Sequence, residues 1–576
     1  MFQKKQFLLL ITIVTSTVLF AQERDQDTLK PEVINVIKPY TPSISDAFKV
    51  KEIPSLDDAE TGIKKEVKYN IFSFPVASTF TPAKGKAAVV DKAKKVKLFD
   101  NYATLGVGTY TTIFGEVYLN HELNSGENIS AHIGHHSSGG GIDGVLTDDN
   151  FLNSKINLTY SQLTQDLDWA ISGGFGMQTF NWYGLKQPIF TQIDADALDV
   201  SHNFTNASIL GELNLNEGVF KRADVLFRRF GDNLGSGENR LKLSGTAAIP
   251  IKDEIVETVV SIDYLVGSFE NDYFNTTKIN YGNFQLGLAP TYQLKQDDLT
   301  VNLGVTLTYL NDTEASKSSF FIYPNISASY RLVNEIVIAF GGVKGGLIQN
   351  SYYDFATENP FVSPTLFIAP TDQQYNAYAG LKGKLSNTIG YSVSGSYTSE
   401  KSKALFVNNP ITATTQDYTY GNSFGIIYDD VTTLGIAGEL SVDINRNFTM
   451  GIKGEYFVYN TKNEAEAWNL PNIKGTVFMD YQINEHWFTG GNLFFIGERK
   501  DVFLDLTTII PATTTTTTVN LDGYVDVNAH VGYHVNDRIS VFLKGNNLVG
   551  GSYNKWQNTP VQGIQFLGGA TYKFDF

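Results

Sequence analysis

The sequence predicts an all-β protein: a transmembrane antiparallel β-barrel of about 22 strands, preceded by a short, largely unstructured periplasmic N-terminal tail. Three observations lead there. From about Leu98 onward, apolar and polar side chains alternate with a period of two, interrupted by turns. The links between these runs alternate between short polar turns and long loops. The last run, Ile564 to Phe576, places Ile564, Phe566, Gly568, Ala570, Tyr572, Phe574 and Phe576 on one face. The opposite face carries Gln565, Gly569, Thr571, Lys573 and Asp575, with Leu567 as its apolar exception. A strand that is greasy outside, polar inside and terminated by Phe fits a wall between lipid and a wet lumen.

In chain order, Lys4 and Lys5 precede an apolar run from Phe7 to Phe20 and then Ala21-Gln22. Residues 1–21 therefore read as a secretory signal peptide. The run falls short of the ~20 apolar residues that a spanning helix needs. Residues 22–97 hold six prolines and a lysine-rich stretch from Lys84 to Lys97, with little periodicity and little to bury. They read as a periplasmic tail or linker. The barrel is expected over 98–576. Val301–Tyr309 and Val525–Val535 show the alternation clearly.

Short links are expected at Asn124–Glu127, Gln165-Asp166, Lys252–Glu254, Gln296-Asp297, Asn334-Glu335, Ser386-Asn387, Asn445–Asn447, Asn484-Glu485 and Asn536–Arg538. Long ones are expected from His135 to Asn150, Tyr183 to His202, Val266 to Tyr281, Gly346 to Tyr375, Ser399 to Asn422, Tyr459 to Trp468 and Glu498 to Leu521. This parity over a whole chain distinguishes a membrane barrel from a soluble sandwich. Only closure leaves no unpaired strand edge in lipid.

Composition agrees. Aromatic residues are 13% of the chain, charged residues 18%, and there are 51 glycines, a mix that aromatic girdles, Gly-rich strands and a polar lumen produce. With no cysteine, the chain has neither disulfides nor thiolate metal sites nor a lipid-anchoring thiol. The net charge of -16 excludes nucleic acid as a partner. No nucleophile elbow, phosphate loop or paired-carboxylate motif stands out. No catalytic residue, metal site or cofactor is expected, and the chain is not read as an enzyme.

The last two strands carry a resemblance. Phe542-Leu543-Lys544-Gly545-Asn546-Asn547-Leu548 leads to Tyr553, Trp556, Pro560 and Gly563, and then to Gly568-Gly569-Ala570-Thr571-Tyr572-Lys573-Phe574. This resembles the C-terminus of TonB-dependent receptors, whose barrels have a similar strand number. The resemblance implies an outer-membrane location in a Gram-negative bacterium and surrounding outer-membrane lipid. It also implies delivery to the barrel-assembly machinery through the C-terminal strand, with Tyr572, Phe574 and Phe576 as the assembly signal. Glu32-Val33-Ile34-Asn35-Val36-Ile37 looks like a TonB box, the strand that pairs with a periplasmic energy transducer. The bland reading is a disordered tail with one sticky stretch.

The family's folded plug domain is expected to be missing, because residues 22–97 are too few for it. Two functions stay open. One is uptake of a nutrient or other ligand across the outer membrane. The other is a plugless barrel serving as a structural or assembly subunit of an outer-membrane complex, with the tail holding another periplasmic or outer-membrane subunit. A lumen this wide needs a filling, supplied by the tail (including Tyr69 to Phe80), by inward-folding loops or by another protein.

Three weaker constellations remain. His132, His135 and His136 lie near Asp143, Asp148 and Asp149, either as a surface metal site or as ordinary polar residues. His530, His534 and Asp526 share the luminal face of one strand, lining a path or forming a network. Lys221, Arg222, Arg228 and Arg229 form a basic cluster, expected to pair partly with luminal carboxylates or, alternatively, to bind an anion. Thr513 to Thr518 reads as a solvated loop tip.

Overall fold

The structure, a computed structural model, describes residues 98–412, 416–445, 447–503 and 517–576. The expected signal peptide and tail, the Glu32–Ile37 stretch and most of the threonine run lie outside the described residues; Thr517 and Thr518 open a short strand.

Twenty-two strands pair antiparallel in one closed sheet. The first half comprises β1 (Asn101–Gly108), β2 (Thr112–Asn124), β3 (Glu127–Ser138), β4 (Phe151–Leu163), β5 (Leu167–Asn181), β6 (Ser201–Leu215), β7 (Phe220–Asp232), β8 (Gly237–Ile251), β9 (Glu254–Phe269), β10 (Ile279–Gln296) and β11 (Leu299–Asp312). The second half comprises β12 (Lys317–Val333), β13 (Val337–Ile348), β14 (Thr371–Ser386), β15 (Ile389–Asn408), β16 (Phe424–Asn445), β17 (Phe448–Thr461), β18 (Ile473–Gln482) and β19 (Trp487–Ile496). Two hairpins stand apart in loops: β20 (Arg499–Phe503) with β21 (Thr517–Leu521), and β24 (Asn554–Trp556) with β25 (Thr559–Pro560). β22 (Tyr524–His534), β23 (Ile539–Asn546) and β26 (Gln565–Phe574) complete the ring. Closure is made by β1 against β26, from Asn101 opposite Phe574 to Gly108 opposite Leu567.

The two faces of the wall are inverted relative to a water-soluble core. On β1, Leu105 and Val107 are each 69% exposed, while Thr104 is fully buried. On β26, Phe566 and Tyr572 face outward, and Thr571 and Leu567 face the lumen. The buried Thr104 and Thr571 hydroxyls hydrogen-bond across the closing seam at 2.9 Å. Leu567 breaks the polar pattern of its face because Gly106 and Gly108 of β1 leave a hollow that its side chain fills. Apolar area on this scale is stable outside only in lipid. Outward aromatics gather at both ends: Tyr330, Tyr481, Trp487 and Tyr572 near the short-turn end, and Tyr309, Tyr375, Tyr397 and Tyr456 near the loop end. These are the two interfacial girdles of a membrane barrel.

The expected short links all join strands at the end that holds both barrel termini. Asp297 and Asn334 take left-handed φ of 47° and 44°, which Asn and Asp tolerate better than other side chains. The long links are all at the opposite end, with two differences. Residues 109–111, 233–236 and 313–316 are short links at the loop end, so the alternation of lengths is incomplete. Strands also run further into the loops than the alternation shows: β15 continues to Asn408 and β16 begins at Phe424, where a loop from Ser399 to Asn422 was expected. Leu405, Phe406 and Val407 are all buried there, because loops cover both faces of the projecting sheet. Period-two patterning disappears where neither face meets solvent or lipid.

Candidate functional site at the barrel mouth

The long loops do not splay outward. A cluster of buried apolar side chains occupies the mouth, built from loop residues Trp182, Tyr352, Phe361, Tyr418 and Trp556 and from inward residues of the strand ends, such as Phe204, Phe230, Phe269 and Phe406. Its centre is helix α2 (Tyr352–Glu358) in the β13–β14 loop; α1 (Gln192–Ala195) lies in the β5–β6 loop. Ser351 caps α2 by accepting from the Asp354 amide at 3.1 Å. The Tyr352 ring is fully buried and lies edge-on to Phe230 and Phe269, at 5.1 and 4.9 Å between centroids.

Inward polar residues of β6–β10 fix this loop to the wall. Glu238, 1% exposed, accepts from the amides of Tyr352 and Tyr353 at 2.8 and 3.1 Å and from the Tyr281 hydroxyl at 2.9 Å. The carboxylate thus satisfies two donors that the first turn of α2 cannot satisfy itself. Arg240 makes a bidentate pair with Asp263, at 2.9 and 2.7 Å, and donates to Asp354 of α2 at 3.0 Å. Asp232 accepts from the Tyr352 hydroxyl at 2.8 Å. Burial, and then the Asp232 carboxylate, hold the Tyr352 phenol protonated, well above its usual range. Gln285 donates to Gln349 at 2.6 Å. Burial also raises the Glu358 carboxyl, with Lys474 and Lys403 opposing.

The loops meet across the lumen. β5–β6 and β15–β16 lie ten strands apart in the 22-strand ring, so their loops start on opposite walls. Asn422 nevertheless donates to the Trp182 carbonyl at 2.9 Å, and Trp182 packs edge-on against Tyr418. The Trp182 indole donates to the Phe361 carbonyl, linking a third loop. From the C-terminal side, Pro560 accepts from Tyr183 at 3.0 Å, and Trp556 packs on Phe406 and Phe424. The β20–β21 hairpin joins through Arg499, which donates to the carbonyls of Lys555 and Asn554. Beside it, Asp501 accepts from the Asn408 and Val502 amides at 3.0 and 2.8 Å. Its burial pushes the carboxyl up to about 6, against the lowering effect of those hydrogen bonds and of Arg499.

The sequence-predicted residues fall as follows. Asn547 has φ 47° and holds the last loop by donating to Gly551 and Gln562 carbonyls at 3.0 and 2.9 Å. Trp556 lies in the mouth core, so two of the residues that carried the resemblance organise the cap. Tyr572 and Phe576 face outward; Phe576 lies edge-on to His121 and Phe574. Arg222 points inward and pairs with Asp224 and Glu212. Arg228 lies over the Tyr353 ring, 3.8 Å from its centroid. Parity sends Arg229 to the other face and Lys221 lies in a bulge of the strand, so the basic cluster does not form one anion site. The histidine group is likewise divided. His132 bonds Glu116 on the luminal face, His136 packs on Phe114 and Phe151, and His135 bonds Ser154 and Ser137 on the outer face. Among the described residues no group of His, Asp or Glu is arranged to hold a metal ion. His530 and His534 face the lumen against the Phe488 ring, while Asp526 accepts from Tyr553, so these contacts do not join the three in one hydrogen-bonded network. Asp232, Glu238, Arg240, Asp263 and Asp501 were not singled out from the sequence. Glu238 and Arg240 sit two apart on the luminal face, but partners in distant loops give them their role.

A family profile described as TonB dependent receptor-like, beta-barrel matches residues 93–548. The chain belongs to that family. No curated protein sequence matches it. Solved structures match in fold at low identity. The iron transporter FrpB of Neisseria meningitidis has a TM-score of 0.62 at 10% identity, covering 83% of this chain and 82% of that one. The ferripyoverdine receptor of the outer membrane of Pseudomonas aeruginosa, bound to ferripyoverdine, gives 0.59 at 14%, covering 84% and 73%. The ferric-catecholate import receptor Fiu of E. coli K12 gives 0.59 at 11%, covering 84% and 83%. This TonB-dependent receptor-like barrel thus shares the relatives' wall, while the network that ties its loops together is described by its own side chains.

Proposed function

We propose that this barrel takes up a nutrient or other ligand across the outer membrane of a Gram-negative bacterium, with its interlocked loops as the outer gate. The observation that carries the reading is the bridged mouth: loops from opposite walls, joined by an aromatic core and anchored through Glu238 and Arg240. A purely structural barrel has no use for a cap whose docking depends on a few buried charges. A gate does, because such contacts switch between two discrete arrangements. The structural relatives are described as receptors or transporters of iron and its chelates, which makes ferric chelates the first ligands to assay. The reading assigns binding and passage, without chemical turnover.

Glu32–Ile37 is proposed as the strand that pairs with a TonB-type transducer, and the lipid-facing C-terminal strand as the segment recognised by the assembly machinery. Deleting Glu32–Ile37 tests the coupled reading. Ligand-dependent growth or uptake is expected to be lost while the barrel still inserts and stays heat-modifiable on gels. Uptake that survives the deletion would remove the transducer from the proposal.

A further inference from the structure

One rung of the inner wall carries no charged side chain across eight successive strands. It starts at Gln293 on β10 and passes Asn302, Ser327 and Gly342 on β11–β13. It continues through Tyr378, Ser396 and Gly435 to Phe457 on β17. The sequence neighbours Leu294, Leu303, Ile326, Leu434 and Val458 are exposed on the lipid side, so this rung faces the lumen.

Its two aromatic rings lean over neighbouring strands and lie along the wall, because glycines stand beneath them. A Cβ on Gly342 would lie 2.7 Å from the Tyr378 hydroxyl, and one on Gly435 would lie 3.3 Å from the Phe457 ring. Each ring is half of a pair. Phe340, one rung nearer the short turns, has its centroid 6.3 Å from that of Tyr378. Tyr459, one rung nearer the loops, lies 5.9 Å from Phe457 at 25°. The Lys382 and Lys474 amines come to 5.6 and 5.8 Å from the Phe340 and Phe457 centroids, at the ~6 Å limit of cation–π attraction.

Three strand spacings, roughly 14 Å, separate the two ring pairs. The floor between them is Ser394, Ser396 and Thr398 of β15 with Thr433, Gly435 and Ala437 of β16, so nothing larger than threonine rises there. Beside the first pair, Gln293, Asn302 and Ser327 line a recess of about 430 Å³ together with both rings, inside the ~300–1,000 Å³ range of small-molecule sites. Lys344 and Lys382 line the same recess, from one rung nearer the loops and two rungs nearer the turns. Gln293 donates to Asn302 at 3.0 Å and Asn302 to Ser327 at 3.2 Å. A primary amide has two N–H donors and two lone pairs, so this ladder keeps capacity for a solute.

We infer that the trough binds a neutral linear oligosaccharide, with one sugar stacked on each ring pair. A pyranose presents C–H groups on its faces, which the negative faces of the rings attract, and hydroxyls around its edge, which uncharged amides and hydroxyls match. The inference rests on the uptake reading and adds a class of solute that the lumen takes. It is tested by binding alone, so its failure leaves the gate and the transducer untouched.

The experiment is equilibrium dialysis of the purified full chain in detergent against radiolabelled maltohexaose, cellohexaose and laminarihexaose, their disaccharides, and N-acetyl hexaserine amide. At least one hexasaccharide is expected to bind saturably. Its affinity is expected to exceed that of its own disaccharide by at least about tenfold, because the shorter sugar cannot reach both ring pairs. The Tyr378→Ala/Phe457→Ala protein, checked for heat-modifiable folding, is expected to lose at least about tenfold in affinity for that hexasaccharide. Tyr378→Phe keeps the ring and the binding, and Phe488→Ala on β19 serves as a luminal control without effect. Absence of saturable hexasaccharide binding, equal affinity for the disaccharide or the peptide, or undiminished binding in the double variant would overturn the inference.

Discussion

At the scale of single residues, the mouth depends on a few buried carboxylates. Glu238 is the sharpest case, since three donors converge on it and two of them are the first amides of α2. In Glu238→Ala those donors lose their acceptor within an apolar cluster, at about 1–3 kcal/mol for each group left unsatisfied. Expected is a selective rise in hydrogen exchange at the Tyr352 and Tyr353 amides, with the strand amides unchanged. Protection that persists would mean that the aromatic packing alone holds the loop.

Asp501 adds a pH dependence whose sign follows from its shift. Its ordinary value is 3.8, and in the docked hairpin it rises to about 6. Between these values the undocked hairpin releases the proton while the docked one keeps it. Docking is therefore strongest below about pH 4 and weakens as pH rises through 6, by ~3 kcal/mol in all. Exchange at the Asn408 and Val502 amides is expected to accelerate over that window beyond its intrinsic pH dependence. Asp501→Asn, which carries no titrating group, is expected to abolish the extra acceleration.

At the scale of elements, the wall was legible in the sequence and the cap was not. A barrel strand sees two uniform solvents, so each residue's polarity reports its own side. That is why Ile564 to Phe576 and the short polar turns could be read without partners. In Leu405-Phe406-Val407 both faces are covered, and the pattern carries no side at all. Glu238, Arg240 and Asp263 read as ordinary luminal polar residues until α2, about 110 residues downstream of Glu238, supplies their partners. The histidines show the limit of closeness in sequence, since strand alternation divides His132 and His136 from His135 between two faces.

The terminal strand gives the prediction at this scale. Tyr572 and Phe576 face outward and contribute little to the β1–β26 seam, which is held by its ladder and by the Thr104–Thr571 bond. Tyr572→Ala/Phe576→Ala is expected to lower the amount of barrel inserted in cells, while the fraction that inserts keeps normal heat-modifiability. Thr571→Val reverses this: insertion is normal, and the folded barrel is less stable by about 1 kcal/mol. Equal insertion of the double aromatic variant and the native chain would remove those residues from the assembly signal.

At the scale of the whole molecule, a ring of 22 strands encloses a lumen wide enough to pass large solutes unless something closes it. The described residues supply a barrier at one end, where loops from opposite walls meet through Trp182, Tyr418, Asn422 and Trp556. Planar-bilayer conductance of the full chain measures how much of the closure they provide. The native protein is expected to show little steady current. Replacing residues 349–370 by a short Gly-Ser link removes α2, the acceptor side of the Gln285 bond and the carbonyl that holds Trp182. The other loops then lose the body on which they converge, and large, long-lived openings are expected. Glu238→Ala, which loosens α2 without removing it, is expected to give brief openings of the same size. That graded order follows from a docked cap in equilibrium with an undocked one, because a local change shifts the population of open states and leaves their conductance alone. If the loop replacement left the current unchanged, the seal would have to lie deeper in the lumen, and the bridged mouth would be a docking surface without a gating role.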